Sequence, residues 1–362
     1  MPTLMFTRSS FPNEACKTTM FMKFFENNED SNVFKRTTLI IIKLLITTIL
    51  LYYIFYKYIN INKLLVAFTH IQYWLFFVVL FILFVNRYLG AYQTSYYFKK
   101  VFNIELGINY VFKVQLISSF FSFVLPGELA GGIVSWYMIS DKSGKKMDTA
   151  AVIIFLRILS IITMGFFTFI GLVFEEKLSD LGLRNYLLIL TVLLLLMYIP
   201  FVSIKAATAM KHFSQKIVEA VPLRYWRNYF VNLNSKLWDS MMVCSNADHS
   251  LILYTISMSM MWYLLVIIFF YFLMIMADIN LPFQVSVWII GVITFIQYLP
   301  VSFAGLGVRD ISIIYILGEF YQVNPENSMI LSTFYLASSL IFVLMGGLAV
   351  WLKSANHIQT TR

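Results

Sequence analysis

Charge is what this sequence has least of. Only 12% of its 362 residues are Asp, Glu, Lys or Arg, against about 25% in ordinary soluble domains. Hydrophobic residues make up 60%, which excludes a water-soluble globular fold. Cysteine is scarce too. Cys16 and Cys244 are too few and too far apart for a disulfide framework or a metal cluster. His70, His212, His249 and His357 show no ligand spacing. The N-terminus has mixed polar character, without the basic region and short apolar core of a secretory signal. No nucleotide-binding loop and no cofactor motif is present. The net charge of +9 reads as basic loops facing anionic lipid rather than as nucleic-acid binding.

What the chain does have is apolar runs of about 20 residues, long enough to cross a bilayer. The fold class expected is therefore an all-α polytopic membrane protein. Residues 1–36 form a polar cytoplasmic tail. Spans follow at 37–59, 70–88, 149–174, 186–204, 251–277 and 328–352, with a tail at 353–362. The loop after the second span is taken to carry Arg87, Lys99, Lys100 and Lys113. Residues 205–248 are a polar insertion with two amphipathic stripes, Met210/Phe213/Ile217/Val221 and Trp226/Tyr229/Phe230/Leu233/Leu237. Such stripes lie in the membrane interface or dock on a partner.

Two apolar stretches do not fit as plain spans. Residues 114–140 run between two basic loops, so a single crossing would place one of those loops outside, against the charge rule. Two crossings need about 40 residues, more than this stretch has. A re-entrant hairpin at 114–140, entering from the inside, satisfies both limits. Its tip falls at Pro126 and Gly127, with Gly131 and Gly132 just beyond. Residues 284–321 form a second hairpin, entering from outside, broken at Pro300, Gly305 and Gly307. Both tips carry one phrase, LPxxxAG, at Leu125–Gly131 and Leu299–Gly305. Only Lys57, Lys63, Lys177 and Arg184 of the 27 basic residues then lie outside, with Lys43, Arg157 and Arg309 within spans.

Each half reads span, span, hairpin, span, and the halves enter from opposite sides. This is an inverted-topology repeat, 37–174 against 185–352, in which substrate sites form between broken helices at the midplane. Pro126 and Pro300 are expected close together there, with Arg309 facing a cavity. Arg157 and Arg309 are the candidate substrate contacts, because a guanidinium at membrane depth is tolerated only when paired or hydrated, and its fork suits phosphate. Glu128 and Asp310 would neutralise those arginines, hold a substrate amine or carry a proton. Alternatively, Arg309–Asp310 or Arg157–Glu128 is an ion pair that pins a hairpin.

The stretches SSFFSFVLPGELAGG and FLRIL, and YLPVSFAGLGVRD with the later Gly346-Gly347, resemble the membrane domain of the lysylphosphatidylglycerol synthase/flippase family, over about residues 37–352. Pro300, Gly305, Gly307, Arg309 and Asp310 match its second phrase, and Arg157 the arginine after the first hairpin. The chain departs at Leu156 and Ser160, where the family often has acids, and at Trp136, where it often has arginine. The resemblance implies lipid translocation in a bacterial cell membrane, with both termini cytoplasmic. It does not carry over the family's aminoacyl transferase activity, which belongs to a separate soluble domain. The leading expectation is thus a non-enzymatic, flippase-like protein for an anionic phospholipid or polyprenyl-linked glycan lipid. Its partners would be membrane lipids and a lipid-modifying or polysaccharide-assembly enzyme. The rivals are a membrane-embedded glycosyltransferase, weakened because residues 60–69 contain no acid, and a non-transporting scaffold.

Overall fold

A computed structural model describes residues 61–69, 71–124, 129–176, 183–196, 204–220, 224–245, 248–298 and 307–360, with Thr48, Tyr52, Tyr56 and Ile59 besides. The described residues form helices and no strands. We label the helices α1 (Ile61–Thr69), α2 (Trp74–Phe102), α3 (Ile108–Val124), α4 (Leu129–Ser143), α5 (Lys146–Val173) and α6 (Leu183–Leu196). The second half contains α7 (Ile204–Ala220), α8 (Arg224–Ser245), α9 (His249–Met276), α10 (Phe283–Tyr298), α11 (Val308–Tyr321) and α12 (Pro325–Thr360). Among the described residues, four stretches are long and apolar enough to cross a membrane: Trp74–Phe102, Lys146–Val173, Ser250–Met276 and Pro325–Leu352. The first expected span, 37–59, falls almost wholly outside the described residues. Of the fourth, 186–204, only the part within α6 and the first residue of α7 is described.

The second span is longer than the sequence reading made it. It does not end near Tyr88 but runs on to Phe102, so Arg87 lies in mid-helix and not in a loop. The polar run Tyr92–Tyr96 lowers hydropathy without breaking the helix, because no proline interrupts it and Gly90 sits against the Trp262 indole. The helix stops at Asn103, whose left-handed φ of 52° lets its N–H reach the Phe98 carbonyl. Left-handed backbone of this kind is a standard helix end.

α2 and α9 pack antiparallel along a polar seam. Asn86 donates to the Trp262 carbonyl (2.7 Å), and Gln93 donates to the Thr255 carbonyl and the Ser259 hydroxyl. Tyr96 stacks obliquely on Tyr254. Polar side chains satisfied across helices are the normal glue where lipid supplies no hydrophobic drive for helix association.

Four of the short helices arrange themselves as two pairs. α3, α4, α10 and α11 have 17, 15, 16 and 14 residues. At about 1.5 Å per residue none of them reaches across a hydrocarbon core of about 30 Å. α3 begins and α4 ends at one end of the bundle, where Tyr110 donates to the Met138 carbonyl (2.7 Å) and Lys142 lies 4.0 Å over the Tyr110 ring. Lys145 closes that end on the Phe102 carbonyl. α10 begins and α11 ends at the other end of α5, where buried Glu175 accepts from Tyr321 (2.6 Å) and from the Trp288 indole (3.2 Å).

Glycines set the crossings that seat these pairs. A methyl group on Gly171 of α5 would come within 2.8 Å of the Trp288 backbone nitrogen, and one on Gly291 would strike Thr168. These contacts fix α10 antiparallel to α5. Gly346 and Gly347 of α12 press on Leu116 and Phe120 of α3 in the same manner. Close backbone approach of this kind needs residues without a side chain.

The polar insertion resolves into α7 and α8, joined by Lys211–Asp239 (2.6 Å) and by Asn234–Ser214 (3.0 Å). Ser240 of α8 donates to Asp148 at the start of α5 (2.9 Å). Buried Met241, with Leu237 against it, joins the apolar cluster at that end. So part of the second stripe docks on the chain itself, whereas Met210 and Phe213 of the first remain exposed.

Candidate functional site

The apolar core is divided in two along the bundle. One cluster takes in Leu75, Val79 and Ile82 of α2, Met164 and Leu172 of α5, and Ile313 and Leu317 of α11. The other takes in Ala91, Tyr97 and Phe98 of α2, and Ala151, Val152 and Phe155 of α5. Arg87 lies between these clusters along α2, Arg157 lies between Phe155 and Met164 along α5, and Arg309 and Asp310 stand at the start of α11 just before Ile313. Charges buried or half-buried beside apolar clusters need partners in the protein or a ligand.

Arg309 and Asp310 have their partners. Both are only 4% exposed. Neighbouring residues on a helix do not normally face each other, but these two sit in the first turn of α11. Asp310 folds back as a cap there. Its Oδ2 accepts from the Gly307 N–H (2.9 Å), and Gly307 adopts φ 81°, a backbone conformation suited to glycine. Its Oδ1 accepts from Arg309 Nε (3.0 Å) and NH2 (2.7 Å). Ser332 of α12 also donates to that carboxylate. A carboxylate at a helix N-terminus is favoured by the helix dipole. The Arg309 guanidinium lies 4.8 Å from the centre of the Tyr335 ring, a cation–π distance. Arg309 thus faces a carboxylate, a serine and an aromatic ring, and not an open cavity.

Arg157 is half-buried on α5. A methyl group on Gly132 of α4 would sit 3.5 Å from its NH1, so the glycine leaves the guanidinium room beside α4. The adjacent Gly131 presses on α3 at the Ser118 carbonyl and the Ser122 side chain. Ser118 and Ser135 share a hydrogen bond across the same pair (2.5 Å). The sequence-predicted residues therefore fall into two groups, Gly307/Arg309/Asp310 and Gly131/Gly132/Arg157. Pro126, Gly127, Glu128, Pro300 and Gly305 lie outside the described residues.

Sequence reasoning missed Arg87, Ser119, Ser332 and Tyr335. Arg87 NH1 donates to the Ser119 hydroxyl (3.0 Å), and Tyr335 lies within its electrostatic reach. One signal was readable: the aromatic stripe Phe77, Phe81, Phe84, Tyr88 keeps helical spacing through Arg87. Two positions of departure are also explained locally. Ser160 bonds back to the Leu156 carbonyl (2.9 Å), and the Trp136 indole donates to the Lys146 carbonyl (2.8 Å).

Several helices long and apolar enough to cross a bilayer, with Arg309 and Asp310 buried among them, mark a multi-pass membrane protein. Residues 40–347 match the family described as "Lysylphosphatidylglycerol synthase TM region", and the chain belongs to that family. Family and helices together make it a lipid-related membrane protein. No curated protein and no solved structure matches the chain.

Proposed function

We propose that this protein is a flippase-like transporter rather than an enzyme. It moves an anionic phospholipid or a polyprenyl-linked glycan lipid across a bacterial cell membrane, with both termini in the cytoplasm. The headgroup passes between the two short-helix pairs, and the tails stay in the bilayer. Arg157 holds phosphate. Arg309, already locked to Asp310, fixes the start of α11. Membrane lipids are its ligands, and a lipid-modifying or polysaccharide-assembly enzyme its partner.

The reciprocal packing of the short helices carries this reading. Laying Leu125–Gly131 on Leu299–Gly305 carries Leu116 to Ile290 and Gly346 to Leu172. The contact of Leu116 with Gly346 then has its counterpart one or two residues away, where Gly171 meets Trp288. Each pair leans on the last long helix of the other half, as expected of two re-entrant hairpins in an inverted repeat, residues 37–174 and 185–352. In transporters so built, substrate binds between the broken helices, and one repeat rocks against the other. With no nucleotide-binding loop in the sequence, the drive is an ion gradient, the lipid gradient or a partner.

The test is lipid translocation in proteoliposomes, using fluorescent phosphatidylglycerol. Arg157→Gln should slow exchange at least tenfold, since charge-assisted hydrogen bonds are worth about 1.5–3 kcal/mol. Equal rates in the variant, the parent protein and protein-free liposomes would remove the reading.

A further inference from the structure

Of the three arginines Arg87, Arg157 and Arg309, Arg87 is placed differently from the others. It lies thirteen residues along α2 from Trp74, or about 20 Å at the helical rise. A hydrocarbon core of about 30 Å that begins near Trp74 therefore still encloses it. Long basic side chains at such depth usually snorkel to the nearest interface. This one does not. Its NH1 is held by Ser119 of α3, eleven residues from the Ile108 end and so about 16 Å from the basic end of the bundle.

The exposed side of α2 is the stripe Trp74, Phe77, Phe81, Phe84 and Tyr88. Arg87 lies roughly a quarter-turn round the helix from that stripe, at the seam with α3, and is half-buried. A ligand arriving from the bilayer would meet it before reaching the interior.

Among the described residues, the counter-charge is what is missing. No carboxylate among the described residues pairs with Arg87. Ser119 is a neutral partner, and its own hydrogen is committed to the Gln115 carbonyl (2.9 Å), so it can only accept from the guanidinium. Tyr335, the other polar neighbour in reach, already carries the Arg309 guanidinium on its ring. Asp310 is consumed by Arg309, Ser332 and the Gly307 N–H. A guanidinium embedded among apolar helices, with one neutral hydrogen-bond partner among the described residues, is a site for an anion, and its planar fork matches phosphate oxygens.

We propose that Arg87, backed by Ser119, is a phosphate-binding residue at the α2–α3 seam, taking the phosphate ester of a membrane lipid. The proposal rests on the translocation reading for its biological sense. Its test does not depend on that reading, because it measures binding and not movement.

The experiment is native mass spectrometry of the full-length protein released from detergent. It is loaded with phosphatidylglycerol or with digalactosyl diacylglycerol, which has the same tails and no phosphate. Parent protein should retain phosphatidylglycerol selectively. Arg87→Gln should lower that retention about tenfold and leave the glycolipid unchanged, and Arg87→Lys should fall between. Displacement of the lipid by millimolar glycerol phosphate would show that the site takes soluble phosphate esters as well. Unchanged phosphatidylglycerol retention in folded Arg87→Gln overturns the proposal. So does recovery of retention in the Arg87→Gln/Glu128→Gln double variant, since that would assign Arg87 to an ion pair. If Arg87→Gln does not fold, Arg87→Lys decides alone, with retention equal to the parent as the contrary result. Loss of binding without any translocation by the parent protein would leave this site standing and remove the transport reading.

Discussion

At the scale of single residues, Asp310 does more than balance a charge. One carboxylate caps α11, holds both donating arms of its neighbour and receives Ser332 from α12. Asp310→Asn removes the charge but keeps the shape, and it leaves the Arg309 guanidinium buried and unneutralised. Breaking a buried pair in this way is expected to cost about 3–5 kcal/mol. The thermal midpoint of the detergent-solubilised protein should drop accordingly. Arg309→Met combined with Asp310→Asn, which removes both charges, should recover much of the loss. A variant pair no more stable than Asp310→Asn alone would mean that the cap, not the ion pair, supplies the stability. The sequence made Arg309 and Asp310 visible as charges in an apolar run, and it left pairing and ligand contact equally open. Only the positions of Ser332 and Tyr335, on a helix beginning some fifteen residues later, favour pairing.

At the scale of helices, the short elements are seated by crossings that tolerate no side chain. Gly171→Ala would set a methyl group against the Trp288 backbone, which cannot move like a flexible side chain. Overpacking of this kind is expected to cost about 1–3 kcal/mol. Gly318→Ala is the matched control, since the nearest atom to its methyl group is the Val323 carbonyl oxygen at 3.8 Å. There the gain in helix propensity, about 0.5–1 kcal/mol, should be neutral or stabilising. Thermal denaturation of the two variants side by side checks the contrast. The expected hairpin breaks rest on proline and clustered glycine interrupting apolar runs, and Pro126, Gly127, Pro300 and Gly305 lie outside the described residues. The length of α2 was not legible in the sequence. A falling hydropathy at Tyr92–Tyr96 looks the same whether the chain leaves the helix or turns polar side chains toward Thr255 and Ser259 of α9.

At the scale of the whole molecule, the two ends differ in charge. Lys99, Lys100, Lys142 and Lys145 gather where α2 ends and α5 begins, and Glu175, Glu176 and Glu319 gather at the other end. Orientation by basic loops then predicts which end is cytoplasmic. With Cys16 and Cys244 replaced by serine, single cysteines introduced as Glu105→Cys or Lys142→Cys should react with an impermeant maleimide only after cells are permeabilised. Glu176→Cys and Asn280→Cys should react in intact cells. Reaction of all four from one side would sink both the orientation and the inverted repeat.

Composition by itself determined that this chain lives in a membrane, since a polypeptide with so few charges has no other way to shield its apolar surface. The two prolines with their glycines gave the expectation of helix breaks, and the motif phrases pointed to the family, because both depend only on neighbouring residues. The tertiary structure alone decided which charges meet. Arg309 closes on Asp310 and Ser332, Arg157 stands beside Gly132, and Arg87 reaches Ser119 from the middle of a helix. Apart from the Arg309–Asp310 pair itself, those contacts join successive helices across 22 to 32 residues, so their geometry depends on crossing angles and close-packed glycines that no local pattern records.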